Sequence, residues 1–190
     1  MKKIFLALLA VVAMVACEDN LEGKSGEATE FDFAFNEAGE CYSTKTNGIS
    51  ASVFAEQVVG YGWKIVSSFE ILENGKFSEY EWWGMMDGGT MTHIYFESKN
   101  VIKSFVETMV SGGDIICGYY TDNILFDNSK VYFADSRNKY RYLVLTVDEK
   151  SMTCIEGVNN TYVFTTFQRM TPEELEKVQQ TYTRNWDEAE

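Results

Sequence analysis

The only histidine of the chain, His93, is the first candidate for acid–base chemistry, because an imidazole titrates near neutral pH. A catalytic base lies beside an activated nucleophile. The sequence has neither a Gly-x-Ser-x-Gly elbow nor a Cys-His signature. In the segment TMTHIYFE, strand alternation places His93 with Met91 and Tyr95 and opposite Ile94. We therefore predict a strand residue without a catalytic role, and a protein that is not an enzyme.

Three cysteines, Cys41, Cys117 and Cys154, could form a disulfide or bind a metal. Their spacings are long and no histidine lies near them in sequence, so we expect no zinc site and no cofactor. Because three is an odd number, at most one intramolecular disulfide can form. The alternative is that they are buried free thiols, which pack as small apolar side chains.

The segment EWWGMMDGG is the best candidate for ligand contact, through Trp82, Trp83, Met85 and Met86. Adjacent residues of a strand face opposite ways, so both tryptophans cannot point inward. An exposed Trp beside carboxylates can stack on a sugar ring, and one at a barrel mouth can line an apolar pocket. The alternative is core filling followed by a Gly-rich hairpin loop.

Cys17 follows a basic start and the uncharged apolar run from Ile4 to Ala16, which is too short to span a bilayer as a helix. The stretch Met14-Val15-Ala16-Cys17 resembles the lipobox of bacterial lipoproteins. This resemblance implies a signal peptide over residues 1–16 and a lipidated Cys17 that anchors the protein to the membrane. Two or three acyl chains anchor stably, at about 0.8 kcal/mol for each buried CH₂.

Glu18 and Asp19 directly follow this cysteine and resemble the surface-export signal of Bacteroidetes lipoproteins. The resemblance implies an outer-membrane protein displayed at the cell surface; the alternative is a solvated tether on the periplasmic side. Loss of Lys2 and Lys3 with the signal leaves 14 basic and 29 acidic side chains, a formal charge of −15. Such a charge repels phosphate backbones, so we expect no nucleic-acid partner.

The chain after the signal is predicted to comprise an acidic tether, residues 17–48, and one domain, residues 49–190. The segment SASVFAEQVVG predicts a short helix with Ser52 as its cap and Phe54 and Val58 on one face. Eight or nine strands then follow at about ten-residue spacing with short links, including an Asn74-Gly75 turn. In the first of them, alternation places Trp63, Ile65, Phe69 and Ile71 on one face.

A helix is predicted to close the chain, because Thr171, Pro172 and Glu174 make a capping box with Pro in the first turn. Leu175, Val178 and Tyr182 form its apolar stripe. Short links between many strands indicate an all-β antiparallel barrel or sandwich.

Two residues favour a barrel. Trp63 begins the first strand and Arg169 ends the last one. The pair resembles lipocalins and their calycin relatives, in which a Trp of the first strand packs against an Arg from the end of the barrel. The resemblance implies barrel closure by Trp63 and Arg169, and a lipocalin-like barrel of eight to nine strands between a short N-terminal and a C-terminal helix.

The leading functional hypothesis is a non-enzymatic lipoprotein that binds a small apolar or amphipathic ligand in such a barrel. The alternatives are a surface glycan-binding protein, which depends on an exposed Trp82 or Trp83, and a module that binds another envelope protein.

Overall fold

The computed structural model describes residues 32–81, 85–86, 89–127, 130–134, 140–158 and 161–188. In this part of the chain, no helix is both long and apolar enough to cross a membrane. The described residues are mostly β-structure, with two α-helices. The helices are α1, Ala51–Gln57, and α2, Pro172–Thr181.

Thirteen strands are present in the described residues. They are β1 Phe33–Phe35, β2 Cys41–Ser43, β3 Gly62–Ile71, β4 Phe77–Glu81, β5 Met85–Met86, β6 Gly89–Phe96, β7 Val101–Met109, β8 Ile115–Asp127, β9 Lys130–Ala134, β10 Tyr140–Val147, β11 Ser151–Val158, β12 Thr161–Arg169 and β13 Arg184–Asn185. A 3₁₀ turn, Trp186–Glu188, follows β13.

One large sheet contains every strand except β1 and β2, which pair as a separate hairpin. Its hydrogen-bonded order is β4-β3-β12-β11-β10-β9-β8-β7-β6-β5, with all these pairs antiparallel, and β13 pairs with β8 in parallel. The start of β3 also pairs with β6, where Gly62, Trp63 and Lys64 lie opposite Tyr95, Ile94 and His93.

The sheet differs from the expected closed barrel of eight to nine strands: it has eleven strands, and its hydrogen-bonded order has two end strands, β4 and β5. The difference arises because the segment between β3 and β6 contributes two strands of its own. The C-terminal residues add β13, whose two residues are too short to produce a sequence pattern.

The sheet has an inner face with a buried cluster to which α1 and seven strands contribute. This inner cluster comprises Phe54, Val58, Trp63, Met91, Ile94, Phe96, Ile102, Val106, Ile124, Tyr142, Val144, Met152, Cys154 and Phe167. Phe54 of α1 and Val58, the C-cap that follows the helix, are fully buried in it, as the helix pattern predicts. The helix therefore joins the enclosed core rather than lying on the surface.

The outer face of the sheet is covered in two places. The β1–β2 hairpin, which lies within the predicted tether, buries Phe33 against Phe69, Phe77 and Phe164. At the second place on the outer face, α2 packs Val178 and Tyr182 against Phe105. The Thr171 and Glu174 side chains form the predicted capping box.

A β-bulge changes the predicted faces of β3. Ser67 pairs with Thr166 and Ile65 with Phe167, so Val66 is the extra residue, and it is 48% exposed. Trp63 and Ile65 consequently contact the inner cluster, whereas Phe69 and Ile71 belong to the outer face. The prediction that all four share one face is wrong, because one inserted residue reverses the alternation.

A second bulge does the same in β6. Met91 pairs with Val106 and His93 with Phe105, which leaves Thr92 as the extra residue. Met91 therefore joins the inner cluster, while Tyr95 packs on the helix-covered outer face. The prediction that Met91 and His93 share a face is wrong for this reason.

The cap of α1 also differs from the prediction. Ser50 is the N-cap, and its hydroxyl accepts a hydrogen bond from the Val53 backbone N–H at 3.3 Å. Ser52 lies in the first turn and its hydroxyl is 2.9 Å from that of Ser50. Both serines suit a cap, and the sequence alone does not show which has extended backbone angles.

Candidate functional site

The candidate site lies on the inner face, where strand β11 places a carboxyl group among apolar side chains. Met152 and Cys154 belong to the inner cluster, so Glu156, two residues further on, faces the same way. Glu156 is only 5% exposed. Its neighbours across the sheet are Tyr142 on β10 and Val163 on β12.

The environment of Glu156 favours its neutral form. Burial raises the pKa of its carboxyl group from the ordinary value of 4.5 to about 7, although a hydrogen bond from the Tyr142 hydroxyl acts in the opposite direction. A carboxyl group poised near neutral pH inside a protein is a frequent mark of a functional site, since it is costly to keep there.

Two hydroxyl groups extend the polar character of the inner face. Thr165 pairs with Cys154 and is buried, and its Oγ1 lies 3.2 Å from Ser68 Oγ on β3. The inner face thus combines apolar side chains with a few fixed polar groups. This combination is typical of sites that bind small amphipathic molecules.

Trp63 and Arg169, predicted to meet, are brought together at one end of the sheet. They pair across β3 and β12, and the Arg169 Cζ atom lies 5.0 Å from the Trp63 ring centroid and 4.0 Å from that of Tyr61. The Arg169 guanidinium also donates to the carbonyl oxygens of Gln57, at 2.6 Å, and Asp148, at 3.2 Å. Arg169 therefore links the end of β12 to the start of β3 and to the end of α1.

A second cluster of polar side chains lies on the outer face under α2 and includes His93. Its Nδ1 lies 2.8 Å from Thr92 Oγ1, which in turn lies 3.2 Å from the Tyr182 hydroxyl. Tyr182 donates to Glu107 Oε1. Burial lowers the pKa of His93, which keeps the imidazole neutral at pH 7. These contacts link α2 to the sheet and hold the His93 ring in place.

The three cysteines of the described residues are free thiols. Cys154 lies on the inner face, and Cys41 and Cys117 lie under the outer coverings. Burial raises the pKa of the Cys41 thiol to about 12 and also raises the pKa values of Cys117 and Cys154. All three are therefore thiols rather than reactive thiolates at neutral pH.

The structure does not test the residues predicted for ligand contact, lipidation and export. Trp82, Trp83, Cys17, Glu18 and Asp19 lie outside the described residues. Met85 and Met86 form strand β5, paired with Thr90 and Gly89. Their predicted roles in ligand contact, lipidation and export stay predictions.

The sequence reasoning missed Glu156. A usable signal was present in SMTCIEG, where Glu156 alternates with Met152 and Cys154 on what the structure shows to be the inner face. Ile155 lies between them and is also buried, because the β1–β2 hairpin covers the outer face there. With both faces buried, alternation of apolar and polar residues is weak.

Comparisons with known proteins give limited information. No family model and no curated protein matches the chain. Among solved structures, the chain is similar to a redesigned beta barrel, with 12% identity, 66% of this chain and 99% of that chain covered, and a TM-score of 0.34. It is also similar to bovine odorant binding protein complexed with its natural ligand, with 11% identity, coverage of 62% and 76%, and a TM-score of 0.35. At these TM-scores, neither likeness carries an argument about this chain.

Proposed function

We propose that this protein is a non-enzymatic, lipid-anchored binding protein that holds a small amphipathic ligand on the inner face of a lipocalin-like barrel. The pairing of β3 with both β12 and β6 supports the barrel, because it makes the strand pairings run in a circle through β3. The Trp63–Arg169 contact supports it further, since it joins β12 to β3 at the part of β3 that also pairs with β6.

The observation that carries the proposal is Glu156 with its Tyr142 partner beside the apolar inner cluster. A core selected for stability alone gains from an apolar side chain at this position, since burying a carboxyl group costs free energy. A ligand with an apolar body and one polar group fits both parts of this surface. The body contacts the inner cluster, and the polar group hydrogen-bonds with the carboxyl group.

The test uses N-phenyl-1-naphthylamine, a neutral apolar amine whose fluorescence rises when it leaves water. We expect the purified protein to bind it with a saturable signal. The variant Ser68→Trp adds a large side chain beside Thr165 on the inner face and should reduce the signal at least fivefold.

The matched control is Val66→Trp on the same strand, where the side chain at the bulge is exposed. It should bind the probe as the unmodified protein does. If Ser68→Trp binds equally well while both variants unfold at the temperature of the unmodified protein, the ligand does not occupy the inner face and the proposal is wrong.

The proposed anchoring depends on the sequence alone. Acylation of Cys17 would hold the protein in the outer membrane, and Glu18 and Asp19 would direct it to the cell surface. Radiolabelled palmitate should be incorporated by the native chain and not by Cys17→Ser. Protease added to intact cells should digest the native chain, and Glu18→Ser with Asp19→Ser should protect it by retaining it inside.

A further inference from the structure

The C-terminal segment Arg184–Glu188 lies against one half of β8. Among the described residues, β9 pairs with β8 only over Ile124–Asp127. Nearer the start of β8, β13 takes the place beside it, with Arg184 opposite Gly118 and Asn185 opposite Tyr119. The Asp187 carboxylate accepts a hydrogen bond from the Thr121 backbone N–H at 2.8 Å. The segment is thus attached to the wall of the sheet at several points.

Gly118 shows which face of the sheet the segment reaches. It pairs across the sheet with Val106, a residue of the inner cluster, whereas its neighbour Tyr119 contacts the outer cluster under α2. A side chain at position 118 would therefore point inward. A Cβ atom placed there would lie 2.3 Å from Trp186 Nε1. The indole nitrogen therefore lies on the inner face, in space that only a glycine leaves open.

The Trp186 ring packs against two neighbours, but its N–H group has no hydrogen-bond partner in the part of the chain that the structure describes. The ring stacks on Tyr120, with centroids 6.4 Å apart and planes at 30°, and the Arg184 guanidinium lies 4.2 Å from its centroid. Nε1 is buried, and no acceptor within the described residues makes a hydrogen bond with it. A buried donor without a partner costs about 1–3 kcal/mol, and such groups in folded proteins are rare.

We propose that Trp186 is a ligand-contact residue whose indole N–H donates a hydrogen bond to an oxygen atom of a neutral amphipathic ligand on the inner face. Tyr120, on which the indole ring stacks, provides the adjoining apolar contact. A carbonyl or hydroxyl oxygen suits this position better than a carboxylate, because the chain carries a formal charge of −13. This inference rests on the proposed function.

The test compares two neutral naphthalene probes. One is 6-propionyl-2-dimethylaminonaphthalene, whose ketone accepts hydrogen bonds and whose emission moves to longer wavelength when it does so. The other is N-phenyl-1-naphthylamine, which has no oxygen. Trp186→Phe keeps the aromatic ring and removes the N–H group. We expect this variant to bind the ketone about tenfold more weakly, with emission at shorter wavelength, and to bind the amine unchanged.

A second variant, Asp187→Ala, removes the contact with Thr121 and leaves the indole in place. This variant is the control for detachment of the segment. If Trp186→Phe acted only by detaching the segment, both variants would change the binding of both probes. Equal loss for the two probes, or no loss for either, would overturn the role of Trp186 while leaving the proposed function intact. Failure of the unmodified protein to bind either probe would overturn the proposed function itself.

Discussion

At the scale of single residues, the inner face is distinguished by Glu156. Its position between Tyr142 and Val163 was not predicted, because nothing in a strand pattern shows which of two buried faces is enclosed. The contact between Trp63 and Arg169 was predicted from the resemblance to lipocalins, and it forms because the two residues lie opposite each other on β3 and β12. The sequence thus predicted a contact between strand ends and missed the polar group in the interior.

The raised pKa of Glu156 predicts a pH dependence of stability. Between about pH 4.5 and 7 the folded protein binds the proton at this carboxyl group more tightly than the unfolded chain does. The free energy of unfolding should therefore fall as pH rises through this window, by on the order of 3 kcal/mol in total. Glu156→Gln stays neutral and should remove this fall, so that its stability relative to the unmodified protein increases towards pH 8.

Urea denaturation at a series of pH values measures this difference. Glu149→Gln, in the exposed turn between β10 and β11, is the matched control and should leave the slope as it is. Subtracting the two curves separates Glu156 from His93, whose lowered pKa gives a slope of the opposite sign. Parallel curves for Glu156→Gln and the unmodified protein would show that Glu156 ionises normally in the fold.

At the scale of elements, caps and turns were more predictable than faces. The Thr171–Glu174 capping box and the Asn74-Gly75 turn depend on residues close in sequence, and both are present. The faces of β3 and β6 depend on bulges at Val66 and Thr92, which arise from pairing with distant strands. A pattern within one strand does not show such an inserted residue, which is why the two face predictions failed.

The corrected cap of α1 gives a test within one helix. Ser50→Ala removes the hydroxyl that accepts from the Val53 N–H, and we expect a loss of about 1 kcal/mol in the free energy of unfolding. Ser52→Ala changes the same residue type two positions later and should cost less than about 0.5 kcal/mol, because the cap bond remains. Urea midpoints at unchanged slope report both values; a larger loss for Ser52→Ala would place the cap where the sequence pattern put it.

At the scale of the whole molecule, the fold class was predictable and the extent of the sheet was not. Many short strands with short links indicated antiparallel β-structure, and the large sheet has that character. Strands β2 and β13 were missed because they have only three and two residues, and such strands are stabilised by packing on the sheet rather than by their own sequence. These additions matter, since one covers the outer face and the other brings Trp186 to the inner face.

The central claim is that the inner face binds a small amphipathic molecule, and native mass spectrometry of protein purified from its own cells tests it most directly. We predict that the unmodified protein and Val66→Trp retain a noncovalent adduct of small mass, released on denaturation, and that Ser68→Trp does not. An adduct-free spectrum of the unmodified protein, with no shift in unfolding temperature when an extract of the cells' own lipids is added, would contradict the account.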